Sequence, residues 1–235
     1  MVPYLAKLAV KMFGNYRRQC NLCGFHGYFL AFGYPPRFDA RCPNCGSLER
    51  HRLFGLWLKE NQNRIFGKDI LHFAPEAVLT NCVKTLAATY RSADLNPQYA
   101  DIVLNIEEIS LPDESVDVII CSHVLEHVDH KQALSELRRV LRPDGALLLL
   151  FPIIEGWDET YKDMALTTTE ERELHFGQAD HIQFFGRQVR SDILSAGFDL
   201  SEFTAIEPNV STYGLERGEK LFVAQRKNSG EKVRR

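Results

Sequence analysis

Residues 116–151 read VDVIICSHVLEHVDHKQALSELRRVLRPDGALLLLF, and this stretch decides the fold class. Val116–Cys121 and Ala146–Phe151 are short and nearly all apolar. Strands covered on both faces read this way, whereas a strand with one wet face alternates. Between them Ala133, Leu134, Leu137, Val140 and Leu141 fall at helical spacing. Pro143-Asp144-Gly145 is expected to stop that helix and turn the chain into the next strand. Strand, helix and strand in succession form the unit of a parallel sheet.

Working upstream, Ile70–Phe73, Tyr90–Ala93 and Ile102–Leu104 read as three further strands, with Val78–Leu86 as a helix after the first. Downstream, Gln188–Ala196 reads as a helix stopped by Gly197, and Phe198–Ile206 can pair with Leu221–Gln225 as a terminal antiparallel hairpin. The polar stretch from Glu155 to about Phe185 is too long for a plain connection and reads as a substrate-covering insertion. The expected fold is therefore α/β, with a Rossmann-like, doubly wound, mostly parallel sheet ending in an antiparallel hairpin.

Before this sheet stands a different texture. Leu5, Leu8, Ala9 and Met12 suggest a short amphipathic helix, and Cys20-x-x-Cys23 and Cys42-x-x-Cys45 follow. Two such pairs have the spacing of a zinc-ribbon-like site, and Gly24 and Gly46 permit the tight backbone after each second cysteine. A closed four-thiolate shell leaves no place for a catalytic water, so the Zn2+ expected on Cys20, Cys23, Cys42 and Cys45 is structural. Ser47-Leu48-Glu49-Arg50 then reads as the capped start of a helix running to about Gln62. The expected division is 1–68 for helix, cysteine module and connecting helix, 69–225 for the sheet domain, and 226–235 for a disordered basic tail.

With 235 residues, 45% of them hydrophobic, the chain can fill an ordinary core, which sets disorder aside. No run approaches the roughly 18 uninterrupted apolar residues of a membrane span, so a cytoplasmic protein is expected. The net charge of -3 is uneven: Met1–Lys68 holds 11 Lys/Arg against Asp39, Glu49 and Glu60, a net +8, which leaves -11 for the remainder. Such a basic module is either a solvated surface or a grip for an anionic partner.

In an open parallel sheet, ligands bind outside the carboxyl ends of the strands. Asp94 ends the second strand, where a carboxylate of a Rossmann-like site meets the ribose hydroxyls. Asn105-Ile106 follows the third. Together with LPDESVDVII (111–120), CSHVLEHV (121–128) and LRRVLRPDGA (137–146), these features make Asp69–Gln225 resemble the class I S-adenosylmethionine-dependent methyltransferases of type 11. The resemblance implies S-adenosylmethionine as cofactor, with Asp94 and Leu95 at the ribose, Asn105 and Ile106 at the adenine, and Ser122 and His123 lining the pocket. The first strand departs from the family's glycine-rich loop. It carries Phe73, Ala74, Pro75 and Glu76, where Pro75 removes a backbone donor and Glu76 adds a charge that can meet the sulfonium or amino group. The same string resembles a methyltransferase branch with an N-terminal zinc module.

For catalysis, His181 is the first candidate for base or substrate anchor, with His175 next and Asp180 as an orienting carboxylate. His127 reads as a helix-start residue, and convergence of His123, His175 and His181 on a second metal is a minor alternative, since their separations fit no compact ligand motif. The expected activity is methyl transfer to a small-molecule or saccharide acceptor. An RNA methyltransferase using the basic zinc module, and a non-catalytic binding module, are the alternatives.

Overall fold

The computed structural model describes residues 13–33, 35–163 and 165–227. The expected helix through Leu5, Leu8, Ala9 and Met12 lies outside them, as do residues 228–235 of the expected tail. The chain forms two compact units, Met1–Asn63 with Ala77–Thr85 and Phe203–Leu221, and Arg64–Glu76 with Leu86–Glu202 and Phe222–Arg235. These units do not follow the linear division into 1–68, 69–225 and 226–235. Leu53 and Leu56 pack on Ala205 and Leu215, which draws the late segment into the cysteine-rich unit.

In that unit β1 (Phe13–Gln19), β2 (His26–Phe32) and β3 (Arg37–Arg41) form an antiparallel sheet, and α1 (Glu49–Glu60) follows. The helix is not capped by Ser47. Leu48 is the cap residue, its N–H donating to His51 Nδ1 at 3.1 Å, while Ser47 Oγ lies 3.4 Å from Cys20 Sγ. From α1 the fully buried Arg52 sends its guanidinium to four carbonyls: Ser47 O at 2.6 Å, Ala40 O at 2.9 Å, and Tyr213 O and Gly214 O at 2.7 Å each. The same guanidinium lies 4.6 Å from the Phe29 ring centre. One side chain thereby satisfies carbonyls that water does not reach.

The remaining elements run β4 (Asp69–Phe73), α2 (Ala77–Val83), β5 (Thr89–Asp94), β6 (Ile102–Val103), β7 (Val116–Ser122), α3 (His130–Val140), β8 (Leu141–Leu150), β9 (Tyr161–Lys162), α4 (Thr169–Phe176), β10 (Gln183–Phe184), α5 (Val189–Ser195), β11 (Phe198–Thr204), α6 (Asn209–Tyr213) and β12 (Lys220–Arg226). Seven strands form one sheet in the order β11-β12-β8-β7-β4-β5-β6. β4 pairs in parallel with both β5 and β7, β5 with β6, and β7 with β8, whereas β12 runs antiparallel to β8. β11 and β12 are neighbours, with Lys227 N donating to Gly197 O and Ser201 Oγ to Val223 O. This is the expected α/β, mostly parallel architecture. Its core layers Leu71, Ile119, Leu147 and Leu149 of the sheet with Ala133, Leu134 and Leu137 of α3.

Two local expectations fail. Leu141 opens β8 rather than extending the helical face, and Pro143-Asp144-Gly145 is a bulge within that strand. β8 advances five residues, from Leu141 to Ala146, while its partner β7 advances two, from Val116 to Val118. Arg142 secures the bulge on Asp69 at 2.8 Å and Asp117 at 3.1 Å. The inserted stretch, read as a substrate-covering insertion, contains β9, α4 and β10 with Phe176 and Phe185 fully buried.

Arg52→Met should lower unfolding free energy by roughly 3–5 kcal/mol, because it leaves buried carbonyls without donors. Urea denaturation of the whole chain measures this, and a loss below about 1 kcal/mol would mean water replaces the guanidinium. Glu219 makes a second test. Its Oε2 is buried without a hydrogen bond, and burial, helped by Glu49 and Glu216, pushes its carboxyl up to about 8. Between the ordinary 4.5 and about 8 the folded state keeps a proton that the unfolded state releases, so stability falls as pH rises across that window. Glu219→Gln should flatten this slope, which is at most ~1.4 kcal/mol per pH unit. Denaturation midpoints of variant and wild type at about pH 5 and about pH 8 check it.

Candidate functional site

Strand order reverses between β4 and β7, since β5 and β6 build outward on one side and β8 on the other. At such a reversal the carboxyl ends of neighbouring strands leave a crevice. Phe73 at the end of β4 pairs with Cys121 of β7, so the chain leaves the sheet at two adjacent points. Ala74 takes a left-handed conformation, φ 45°, and its N–H donates to Ala93 O at 2.9 Å. His123, after β7, is also left-handed at φ 53°, its N–H donating to Leu150 O at 2.7 Å. Two non-glycine residues held in this region side by side mark a site where backbone strain is retained.

Pro75 follows, and Glu76 Oε2 accepts a 2.7 Å bond from Ser122 Oγ, which ties the two strand ends together. Asp94 closes β5 with Oδ1 accepting from Asn96 N at 2.8 Å, while Leu95 beside it is 68% exposed. After β6, Leu104 N donates to Asp94 O at 3.1 Å, Asn105 is exposed, and Ile106 is buried. The residues expected at the cofactor, Phe73, Ala74, Pro75, Glu76, Asp94, Leu95, Asn105, Ile106, Ser122 and His123, thus all stand at or just beyond the carboxyl ends of β4 to β7.

The catalytic candidates separate. His181 is 3% exposed and its Nδ1 has no hydrogen-bond partner. Burial holds its imidazole below the ordinary histidine range, and the neighbouring His127 adds to this. His175 is exposed on α4 and pairs with Tyr161 Oη at 2.7 Å. Asp180 serves His127, whose Nδ1 is 3.1 Å from Asp180 O and 3.5 Å from Asp180 Oδ2. The rings of His127 and His181 stand edge to face with centres 4.7 Å apart. Glu126 completes the group at 1% exposure, with neither carboxylate oxygen hydrogen-bonded and His123 Nδ1 at 3.0 Å from Oε1. Sequence reading passed over Glu126, and its signal was slight: an acidic residue directly before a histidine, just after a buried strand.

The four module cysteines converge, with Cys20 and Cys45 sulfurs 3.6 Å apart and those of Cys23 and Cys42 3.7 Å apart. A disulfide would bring sulfurs to about 2.0 Å, whereas a tetrahedral ion at Zn–S of about 2.3 Å spaces them by about 3.8 Å. Gly24 and Gly46, left-handed at φ 74° and 73°, return N–H bonds of 2.9 Å to Cys20 O and Cys42 O and close the two knuckles. The donor set fits zinc. Cys121 is buried on β7, and burial pushes the Cys82 thiol up to about 11, so neither is a nucleophile.

Residues 66–149 match the family model described as "Methyltransferase domain". The matched segment runs from just before β4 to Leu149 of β8. A Mycolicibacterium smegmatis protein named "Probable S-adenosylmethionine-dependent methyltransferase" is 49% identical over 49 residues, 20% of this chain and 19% of that one. The chain spans between 19% and 27% of the length of the curated relatives it matches. An S-adenosylmethionine dependent methyltransferase from Mesorhizobium loti superposes with TM-score 0.53 at 15% identity, covering 74% of this chain and 98% of that one. The 1,6-didemethyltoxoflavin-N1-methyltransferase of Burkholderia thailandensis, solved with its namesake compound and S-adenosylhomocysteine, gives 0.50 at 13% identity, covering 74% and 76%. These superpositions establish a shared fold. Among the described residues no helix is long and apolar enough to cross a membrane.

Relief of strain at Ala74 is directly measurable. Ala74→Gly should leave stability unchanged or raise it by up to about 1 kcal/mol, while Ala74→Val should lower it by more than about 1 kcal/mol. Equal stability of all three proteins in urea would remove the left-handed turn from the site.

Proposed function

We propose that the chain transfers a methyl group from S-adenosylmethionine to a small-molecule or saccharide acceptor. The observation that carries this reading is the coincidence of the methyltransferase-domain segment with the strands whose carboxyl ends gather Glu76, Asp94 and Ser122. When bound, the cofactor supplies an electrophilic methyl group on a sulfonium and departs as S-adenosylhomocysteine.

The chain's residues divide the remaining work. Asp94, fixed through Oδ1 by Asn96, keeps Oδ2 to accept from ribose hydroxyls. Asn105 and Ile106 flank the adenine, one exposed and polar and the other buried and apolar. Glu76, oriented by Ser122, places negative charge where the cofactor is cationic. Phe73, Ala74, Pro75 and Leu95 form the wall, and the turn at Ala74 does the work of a glycine loop for a ligand that has no phosphates to cradle. On the acceptor side stands His181, a desolvated neutral imidazole held beside the end of β7, with Asp180 orienting its neighbour His127. His175 and Tyr161 sit on the inserted stretch as secondary acceptor contacts. The four cysteines hold a structural zinc ion that braces the small sheet.

A second reading is an RNA acceptor, favoured by the surface of that sheet. Tyr16, Tyr28 and Phe32 are 66%, 48% and 42% exposed, with the guanidiniums of Arg18, Arg17 and Arg41 at 5.3, 5.9 and 5.8 Å from their ring centres. Exposed rings with interleaved cations suit stacked bases and phosphates. RNA binding that weakens steeply with salt selects this reading over a small acceptor. A chain that takes up no S-adenosylmethionine in a calorimetric titration would be a binding module only.

Asp94→Ala should weaken S-adenosylmethionine binding by roughly 1–3 kcal/mol, about 5- to 150-fold, through loss of a charged acceptor. Calorimetry on both proteins decides it, and equal affinity would detach the end of β5 from the cofactor.

A further inference from the structure

Glu126 poses a physical problem. A carboxylate at 1% exposure ordinarily takes several hydrogen bonds, and here Oε1 faces only His123 Nδ1 at 3.0 Å and Oε2 has no partner, while the buried His181 next to it leaves Nδ1 without one. Orphaned groups of this kind gathered at one point call for an absent third party. The donor atoms of Glu126, His127 and His181 lie within 4.8 Å of one another.

The protonation of His127 follows from its partner. Asp180 O can only accept, so the 3.1 Å contact requires the proton on Nδ1 and leaves the lone pair on Nε2. A histidine whose Nδ1–H is bound by a carbonyl, with a carboxylate oxygen at 3.5 Å, has the outer-shell support typical of metal ligands. The segment carrying His181 is also clamped to the turn carrying Glu126 and His127. Ile182 N donates to Glu126 O at 3.0 Å, and the fully buried Gln183 Nε2 donates to both Leu125 O and Val128 O at 2.8 Å. These three bonds fix two distant pieces of chain before any ligand arrives.

We propose that Glu126, His127 and His181 form a second metal site, separate from the four cysteines, for a divalent first-row transition ion. Two imidazoles and one carboxylate are borderline ligands that suit such ions and leave coordination positions open. The open positions would take an oxygen of the acceptor, which selects hydroxyl-bearing acceptors and eases loss of the hydroxyl proton. His181 is then a ligand rather than a free base. The metal site stands on the side chains alone, and only its use on an acceptor rests on the methyltransferase reading.

The test is titration of the full, zinc-replete chain with Co2+, followed by visible absorption and metal analysis. The expected result is one further cobalt per chain, with weak bands of a nitrogen and oxygen site and without the intense thiolate-to-cobalt transition that displacement of zinc from the cysteines would give. Glu126→Gln and His127→Gln should each weaken this second equivalent at least about tenfold. Cobalt should raise the melting temperature of wild type and not that of Glu126→Gln. Without cobalt, Glu126→Gln should melt no lower than wild type, since relief of a buried carboxylate offsets the loss of its charged contact with His123 at 3.0 Å. Absence of a second equivalent in wild type, or equal uptake by the variants, overturns the site. Should Glu126→Gln not fold, the half-buried His127→Gln decides alone. S-adenosylhomocysteine titration separates the two readings: cofactor binding without the second cobalt defeats only the metal site, and the second cobalt without cofactor binding defeats only the methyltransferase reading.

Discussion

The parallel pairing of β4 with β5 on one side and β7 on the other is the constraint on which the site depends. With three strands pointing the same way, their carboxyl ends fall at one edge, and whatever residue follows each strand arrives at the same place. Glu76 and Ser122 lie far apart in the chain and meet at 2.7 Å because Phe73 and Cys121 are register partners. The left-handed turns at Ala74 and His123 then take the backbone sharply off the sheet and open the space between the strand ends. The conformational cost of those turns is met by the buried sheet below them, whose Leu71, Ile119 and Leu149 admit no water.

The cysteine-rich unit solves a different problem. Its three short strands bury little apolar surface themselves, with Phe29 among the sulfurs, and lean on the separate cluster that Leu53 and Leu56 of α1 form with Ala205 and Leu215. Two compact devices reinforce these small clusters: four thiols at tetrahedral spacing, and one guanidinium bound to four carbonyls. Ser47 connects them, its hydroxyl at 3.2 Å from Cys45 Sγ and its carbonyl on Arg52.

The parts legible in the sequence were those whose signal is local. Val116–Cys121 and Ala146–Phe151 announce buried strands because both faces are covered, and the cysteine pairs announce a convergent four-sulfur cluster because the spacing within each pair is short. The place of Asp94 at the end of its strand was legible from the strand read at Tyr90–Ala93 before it. What was hidden depends on pairing. Pro143-Asp144-Gly145 has the composition of a turn, and only the register of β8 against β7 makes it a bulge. Ser47 has the chemistry of a helix cap and is diverted by two sulfurs. Glu126 and His181 are separated by more than 50 residues, and no spacing rule links a loop after β7 to the strand β10 that is clamped to it. Arg52 looked like one more surface charge on a helix, and its burial is visible only once its four acceptors are in place.

Those acceptors come from three parts of the chain: Ala40 and Ser47 lie near the beginning, and Tyr213 and Gly214 near the end. On a ribosome, a leading domain ordinarily finishes folding while the rest is still being made. Here the leading unit has its cysteines early, yet half the oxygens that neutralise its central cation emerge only after the entire parallel sheet has been synthesised. Arg52 therefore gains its last two carbonyl partners only once residues 213 and 214 have been made, after β4 to β8 and before β12.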